Sequence, residues 1–372
     1  VFEPTEMPLT QRMQKLDQMA GCVNSNGVTN AYRRADASAG ANSGFDNSCW
    51  LDIICIRMNL TGFGCRKDPS GTLFWEGPFF WEGKRVIRYA KPTTVDEALA
   101  LLGEAPWRIL AGGTDFYPAQ GAKPFRENVL DINGLATLRG IAETNSHWIV
   151  GARTTWTDLV RHPLPAAFDA LKQAAREVGS VQIQNVASVA GNLCNASPAA
   201  DGVPALLVLD AEVELRSLAM VRHLPLEKFI LGNRRTELQP GEMVTAIRVP
   251  KNAATGTSAF VKLGARRYLV ISIAMAAARL TIKDGVVSNA AVAVGACSAV
   301  ARRLASVEAA LRSLPVNDAL VGAVQSAPMD ELSPIDDVRG SAEYRLDAAR
   351  EIVARAVLGA AGHAPTERVA AA

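Results

Sequence analysis

From about Val86 onward, short apolar runs alternate with amphipathic runs of helical period, and beyond residue 250 the two kinds separate. This alternation constrains the fold more than any other feature of the sequence. Strands alternating with helices build a helix-covered sheet, whereas strands followed by helices build an α+β unit. "WRILAGGTDF" (107–116) reads as a short apolar strand broken by two glycines, and "NVLDI" (128–132) and "WIVGA" (148–152) read as buried strands. "PTTVDEALALLG" (92–103) offers Thr93 or Thr94 as an N-cap, acids in the first turn and Gly103 as a stop. "TTWTDLVRH" (154–162) opens a helix. "AAFDALKQAAREVG" (166–179) sets Phe168, Leu171, Ala175 and Val178 on one face before Gly179 ends it. "VPALLVLD" (203–210) reads as a buried helix, "AEVELR" (211–216) as a strand, and "GEMVTAIRVP" (241–250) as a strand ended by Pro250. After a linker, "KNAATGTSA" (251–259), a β-hairpin over 279–296 turns at Asp284-Gly285, and helices follow, the last over 341–361. The class is α/β plus α+β, with no internal repeat.

Bulk properties exclude several functions. The 372 residues suffice for two or three domains, and 39 basic against 37 acidic residues leave a net charge of +2. That balance gives no field for nucleic acid or an anionic membrane. The longest apolar candidate, 269–280, carries Ser272 and Arg279 and is shorter than the roughly 18 residues a span needs. Glu3, Glu6, Arg12, Lys15 and Asp17 leave no signal-peptide core, so a cytoplasmic protein is expected. Cys22, Cys49, Cys55, Cys65, Cys194 and Cys297 are irregularly spaced without a CxxC, and read as buried or incidental thiols. His147, His162, His223 and His363 form no metal-ligand pair, and no Ser/His/Asp arrangement is seen.

Residues 1–85 differ from the rest. They hold four of the six cysteines and three of the six tryptophans, and no hydrophobic period persists. The aromatic cluster "LFWEGPFFWEG" reads as a binding loop or, more simply, as part of a poorly folded or non-native extension. With Val at position 1, a misplaced start or an upstream frame error is one expectation.

Two segments carry chemistry. In Ala111-Gly112-Gly113-Thr114-Asp115, a strand delivers the chain to two glycines that permit close backbone approach, beside free N–H groups suited to a pyrophosphate. Neither a GxxxxGK[ST] loop nor a GxGxxG fingerprint is present. In "SVAGNLCNASPAAD" (188–201), small residues leave room for a flat ring, and Asn192, Asn195, Ser197 and Asp201 offer polar groups to fix it. Read alone, that segment fits equally a capped loop entering a buried helix, with Asp201 or Ser197 as the cap.

At this spacing, the pair resembles the FAD-binding subunit of the molybdenum hydroxylases, the family of xanthine dehydrogenase and bacterial carbon monoxide dehydrogenase flavoproteins. Stretches 229–250, 260–280 and 336–357 support the resemblance, which covers about 86–360. It implies a two-part FAD-binding domain of the PCMH/vanillyl-alcohol-oxidase type over 86–255, followed over 256–365 by a C-terminal antiparallel sheet with flanking helices. It further implies FAD held by Leu110, Gly112, Gly113 and Thr114 at the pyrophosphate, and by Gly179, Ala187, Ser188, Gly191, Asn192, Asn195 and Asp201 on the other side. Val244 and Lys262 match positions at the flavin end, although Lys262 read alone is a surface lysine on a strand. The implied partners are a [2Fe-2S] small subunit and a molybdopterin large subunit, with NAD, oxygen or a quinone as electron acceptor.

The sequence departs from the family in places. Ala190 replaces the first glycine of a GGN triplet, which is tolerable if its φ is negative. "RRYLVIS" (266–272) lacks the acids of some dehydrogenase members, which leaves the acceptor open. Residues 1–85 hold nothing like the CxxxxCGxCxxC ligand run, and no four-cysteine insertion follows the asparagine turn. Two other readings stand beside this one: a stand-alone reductase of the same fold, like the enzyme that makes UDP-N-acetylmuramate, and a flavin-less scaffold subunit.

Overall fold

The structure is a computed structural model that describes residues 64–67, 73–76, 86–122 and 124–362. Of the N-terminal segment it describes two short strands, Gly64–Lys67 and Leu73–Glu76, paired as a two-stranded sheet. The other expectations for that segment, including its extension character, most of its aromatic cluster and its four cysteine side chains, lie outside the described residues, as does His363. Residues 86–122 and 124–362 belong to one compact unit.

That unit begins with β1 (Tyr89–Ala90), α1 (Val95–Glu104), β2 (Trp107–Leu110), α2 (Phe116–Gln120) and β3 (Asn128–Asp131). The strands form a parallel sheet in the order β1-β3-β2. Thr94 starts α1 with a capping box, accepting from Glu97 N at 3.3 Å while the Glu97 carboxylate accepts from Thr94 N at 3.3 Å. Gly103 does not stop this helix but lies inside it; the chain turns extended at Ala105, whose successor Pro106 disfavours helical backbone there.

A second layer follows: β4 (Ile141–Glu143), β5 (His147–Gly151), α3 (Trp156–Arg161), α4 (Asp169–Glu177), α5 (Val181–Val186), α6 (Val189–Asn195), α7 (Gly202–Leu207), β6 (Glu212–Arg216), β7 (Val221–Pro225) and β8 (Met243–Pro250). Its sheet is antiparallel, in the order β4-β5-β8-β6-β7. The helices bury Trp156, Phe168, Leu171, Leu193 and Leu206 against it. On α4 the buried face is Ala170, Leu171, Ala174 and Ala175; Val178 lies past the helix end, where Gly179 takes φ +55°. Every residue of α7 is buried.

The C-terminal part comprises β9 (Thr257–Leu263), β10 (Ala274–Lys283), β11 (Val286–Gly295), β12 (Arg302–Arg303), α8 (Ala305–Leu311), α9 (Ala319–Ser326) and α10 (Ala342–Ala360). The strands form an antiparallel sheet, β9-β10-β11-β12, and the β10–β11 turn has Asp284 at φ +52° and Gly285 at φ +73°, as a two-residue hairpin requires. The expected linker is shorter than the sequence suggests, because Ala259 and Phe260 are buried and β9 claims the chain from Thr257. Strand alternation divides β10 between two cores: Met275 and Ala277 pack with the helices of the second layer, whereas Ala274, Ala276 and Ala278 pack with α10. Among the described residues no helix is long and apolar enough to cross a membrane.

Candidate functional site

At Leu110, β2 ends and the chain must turn at once into α2. Gly113 makes that turn at φ +75°. Gly112 is held by contact rather than by φ: a Cβ there would lie 2.0 Å from Val186 O. The glycine loop and the end of α5 therefore touch backbone to backbone. Asn133 Nδ2 donates to Ala111 O at 2.8 Å and fixes the loop from below. Among the described residues, the amides of Gly112, Gly113 and Thr114 meet no acceptor.

The opposite wall is built by an antiparallel bridge between Thr155 and Ser188, in which Trp156 N donates to Ala187 O and Val189 N to Thr154 O. Ser188 then caps α6, its hydroxyl accepting from Gly191 N at 3.1 Å. Ala190 stands inside α6 and is absent from the residues of positive φ, so its methyl fits without strain. Asn195 ties the two walls together: its Nδ2 donates to Asp115 Oδ1 at 2.9 Å, and its Oδ1 accepts from Arg234 Nη1 at 2.5 Å. A third wall is 238–244, where Gly241 turns at φ +81° and Glu242 is clamped by Arg222 at 2.7 and 2.8 Å. Hydrogen bonding to that guanidinium holds the Glu242 carboxyl below the usual range.

These walls enclose a cleft of about 1040 Å³. Of the residues expected from sequence, Gly112, Gly113, Thr114, Ala187, Ser188, Gly191, Asn192, Asn195 and Val244 line it. Leu110 lies beneath the glycine loop, 8% exposed, and Gly179 neighbours the lining residue Val178. Asp201 and Lys262 stand behind the wall as a buried ion pair, Nζ to Oδ2 at 2.7 Å. Ser272 Oγ donates to the other oxygen of Asp201 at 2.5 Å, and Lys262 also donates to Glu177 O at 3.3 Å. Lys262 is thus not a surface lysine, and Asp201, although at the N-cap position of α7, makes no capping bond. Burial raises the Asp201 carboxyl above the ordinary carboxylate range, opposed by Lys262 and Ser272. Asp115, part of the glycine-loop pattern in the sequence, also lines the cleft, whereas Trp107, Phe116, Arg234 and 238–243 carry no individual signal there, although 229–250 supports the family resemblance.

The cleft fits a large dinucleotide. Its volume is at the upper end of the roughly 300–1,000 Å³ of small-molecule sites. The unpaired amides of the glycine loop present donors to a diphosphate. Trp107 Nε1, Trp156 Nε1 and Asn192 Oδ1, all on residues that line the cleft, are buried without partners among the described residues. Unsatisfied buried polar atoms at a cleft wall mark where a ligand supplies the missing bonds.

A cleft at the carboxyl end of a parallel sheet, fronted by unpaired amides, defines a dinucleotide-binding protein. Comparison with known proteins supplies the family. The model described as the FAD binding domain in molybdopterin dehydrogenase matches residues 85–252, and that of the CO dehydrogenase flavoprotein C-terminal domain matches residues 259–360. The chain is 31% identical over 284 residues to the putative xanthine dehydrogenase FAD-binding subunit of Escherichia coli (strain K12), a match covering 74% of this chain and 97% of that one. It is 30% identical to the carbon monoxide dehydrogenase medium chain of Hydrogenophaga pseudoflava, over 73% of this chain and 96% of that one. A solved structure of carbon monoxide dehydrogenase from the same organism superposes with TM-score 0.68 at 29% identity, covering 75% of this chain and 98% of that one. The chain belongs to the FAD-binding subunits of the molybdenum hydroxylase family. It is accordingly an oxidoreductase subunit with FAD as its cofactor, and its fold is the two-part FAD-binding domain with a C-terminal flavoprotein domain.

Proposed function

We propose that this chain is the electron-transfer subunit of a molybdopterin hydroxylase complex. In this reading it receives electrons from a [2Fe-2S] small subunit and passes them to NAD, oxygen or a quinone. A molybdopterin large subunit performs the primary oxidation. Support comes from relatives named as parts of larger assemblies, among them the medium subunit of nicotine 6-hydroxylase and subunit alpha of the 6-hydroxypseudooxynicotine dehydrogenase complex, both of Paenarthrobacter nicotinovorans. The observation that carries the reading is the cleft itself, in which two glycine-bearing segments 77 positions apart meet across unpaired amides.

Bound FAD supplies the exchange between one-electron and two-electron transfer. The chain's own residues bind and orient it. Gly112, Gly113 and Thr114 offer amides to the diphosphate above Leu110. Ser188, Gly191, Asn192 and Asn195 supply polar contacts on the opposite wall, with Ala187 and the Gly179 turn leaving space. Val244 lines the flavin end, and Lys262 with Asp201 supports it from behind. No residue is assigned as a general acid or base. The boundaries 86–255 and 256–365 and a cytoplasmic location belong to the same proposal.

The test is the absorbance spectrum of the purified protein, full length and starting at Val86, with acid release of the cofactor. About one FAD per chain in both forms is expected. Folded, colourless protein in both forms refutes the reading and favours a scaffold role. Copurification with iron and molybdenum is expected of the native complex; their absence from a purified native assembly favours a stand-alone reductase.

A further inference from the structure

Behind the glycine loop, on the far side of the Gly112–Val186 contact, lies a second pocket of about 240 Å³. It shares Ala111, Gly112 and Ser188 with the main cleft, and its other polar walls are Asn133, Arg139, Arg153, Thr155 and Asn185. Among the described residues no carboxylate lines it. The donors around it are partly committed, and each keeps at least one N–H or O–H to spare. Arg153 donates through Nη1 to Leu135 O at 2.8 Å and, at the limit of hydrogen bonding, through Nη2 to Asn133 Oδ1 at 3.5 Å; its Nε is buried without a partner and it is in no ion pair among the described residues. Arg139 is held by Asp158 through Nε and Nη2, at 2.8 and 3.0 Å, which leaves Nη1 free of that clamp. The Asn185 carbonyl oxygen accepts from Thr157 Oγ1 at 2.7 Å, which orients the amide and leaves Nδ2 to donate. The Ser188 hydroxyl accepts from Gly191 N and keeps its proton.

Two guanidiniums, an amide and a hydroxyl around a carboxylate-free cavity are the donor set of an oxyanion site. We propose that this pocket binds a phosphate-class oxyanion, gripped by Arg153 with Arg139, Asn185 and Ser188. Burial, and then the neighbouring Arg139, pushes the Arg153 guanidinium below its ordinary range, opposed by Asp131, and an anion between the two guanidiniums offsets their repulsion. The occupant braces the glycine loop from behind, because Asn133, which holds Ala111 O, forms part of the same wall. The occupant is free orthophosphate, since the Gly112–Val186 contact separates this pocket from the glycine-loop amides assigned to the dinucleotide.

The probe is labelled orthophosphate in equilibrium dialysis against the full-length protein, flavin-loaded and flavin-stripped, in buffer free of phosphate and sulfate. Saturable binding of about one phosphate per chain is expected, weakened roughly tenfold or more by Arg153→Met and less by Arg153→Lys, which keeps the charge but loses the fork. Binding in both flavin states identifies free phosphate as the occupant. Binding only in the stripped protein places the phosphate at the glycine-loop amides of the main cleft and overturns the proposal. No saturable binding in either state, or wild-type affinity in Arg153→Met, overturns the proposal. Should Arg153→Met fail to fold, wild-type saturation and Arg153→Lys still decide. Flavin content is read separately by absorbance, so failure of this site is distinct from failure of the FAD reading.

Discussion

Replacing Lys262 by methionine removes one half of the buried pair that joins β9 to the head of α7. The partners are 7% and 8% exposed at 2.7 Å, so salt screens them little. At an effective dielectric of 20, their attraction at that distance is about 6 kcal/mol, much of it offset by the desolvation of both ions. Without Lys262, Asp201 keeps only the Ser272 hydroxyl, and a carboxyl already raised by burial folds protonated. The unfolded chain retains an ordinary aspartate, near pKa 3.9, so holding a proton on Asp201 at pH 7 costs at most about 4 kcal/mol. The expected loss is therefore about 3–4 kcal/mol at pH 7, within the usual range for breaking a buried pair. Above the unfolded pKa, the folded variant binds more protons than the unfolded chain, so its stability falls as pH rises, by up to about 1.4 kcal/mol per unit. The deficit should shrink to roughly 1–2 kcal/mol at pH 5. Urea denaturation followed by circular dichroism at pH 5, 6 and 7 measures this in wild type, Lys262→Met, Asp201→Asn and the double variant. The double variant should recover at least half of the loss, since no buried charge is left unpaired. A deficit for Lys262→Met below about 1 kcal/mol at pH 7, or one independent of pH, refutes the reasoning.

Gly113→Asp should abolish FAD binding, because a carboxylate enters where the diphosphate charge belongs and the residue must hold φ +75°; stoichiometric flavin in the purified variant refutes the diphosphate assignment. Gly112→Ala should force the loop off Val186, whose carbonyl oxygen would lie 2.0 Å from the new methyl, and lower FAD occupancy in a protein that keeps its helical circular dichroism; unchanged occupancy would show that the contact gives way freely. Ala190→Gly should cost about 1 kcal/mol in thermal or urea stability, from helix propensity, and leave the flavin-to-protein ratio unchanged. A higher ratio in that variant would show that the methyl obstructs the cofactor.

What the sequence shows most clearly is what a few adjacent residues decide. The capping boxes at Thr94–Glu97 and Thr155–Asp158 close within three positions, so both helix starts can be read directly. The Asp284-Gly285 turn is legible for the same reason. Gly103 misleads because a glycine near a helix end resembles a stop, whereas the operative signal is Pro106 acting one residue back. "WIVGA" shows a strand but not its partner, because β8 pairs with it from about a hundred residues away. β7 escapes notice because its residues alternate only between exposed and half-buried, so no apolar face stands out.

The candidate site divides along the same line. Glycines announce themselves wherever the backbone needs space or an unusual φ, so Gly112, Gly113 and Gly191 point to the cleft before any fold is known. Side chains that act through distant partners do not. Nothing near Asp201 in the sequence tells that Lys262 and Ser272, 61 and 71 positions on, will meet its two oxygens. Asn195 looks like one more polar group in a turn until Asp115 and Arg234 are seen on either side of it. Arg153 reads as an ordinary basic residue before a helix until its side chain is found behind the glycine loop with no ion-pair partner among the described residues. Small residues state where a ligand has room, and only the folded chain states which charges wait beside it. Lys262 and Arg153 therefore separate two kinds of cation in this protein. Lys262 is already matched by a buried carboxylate and acts chiefly on stability and position, whereas Arg153 is in no ion pair among the described residues, and on that the proposed anion site rests.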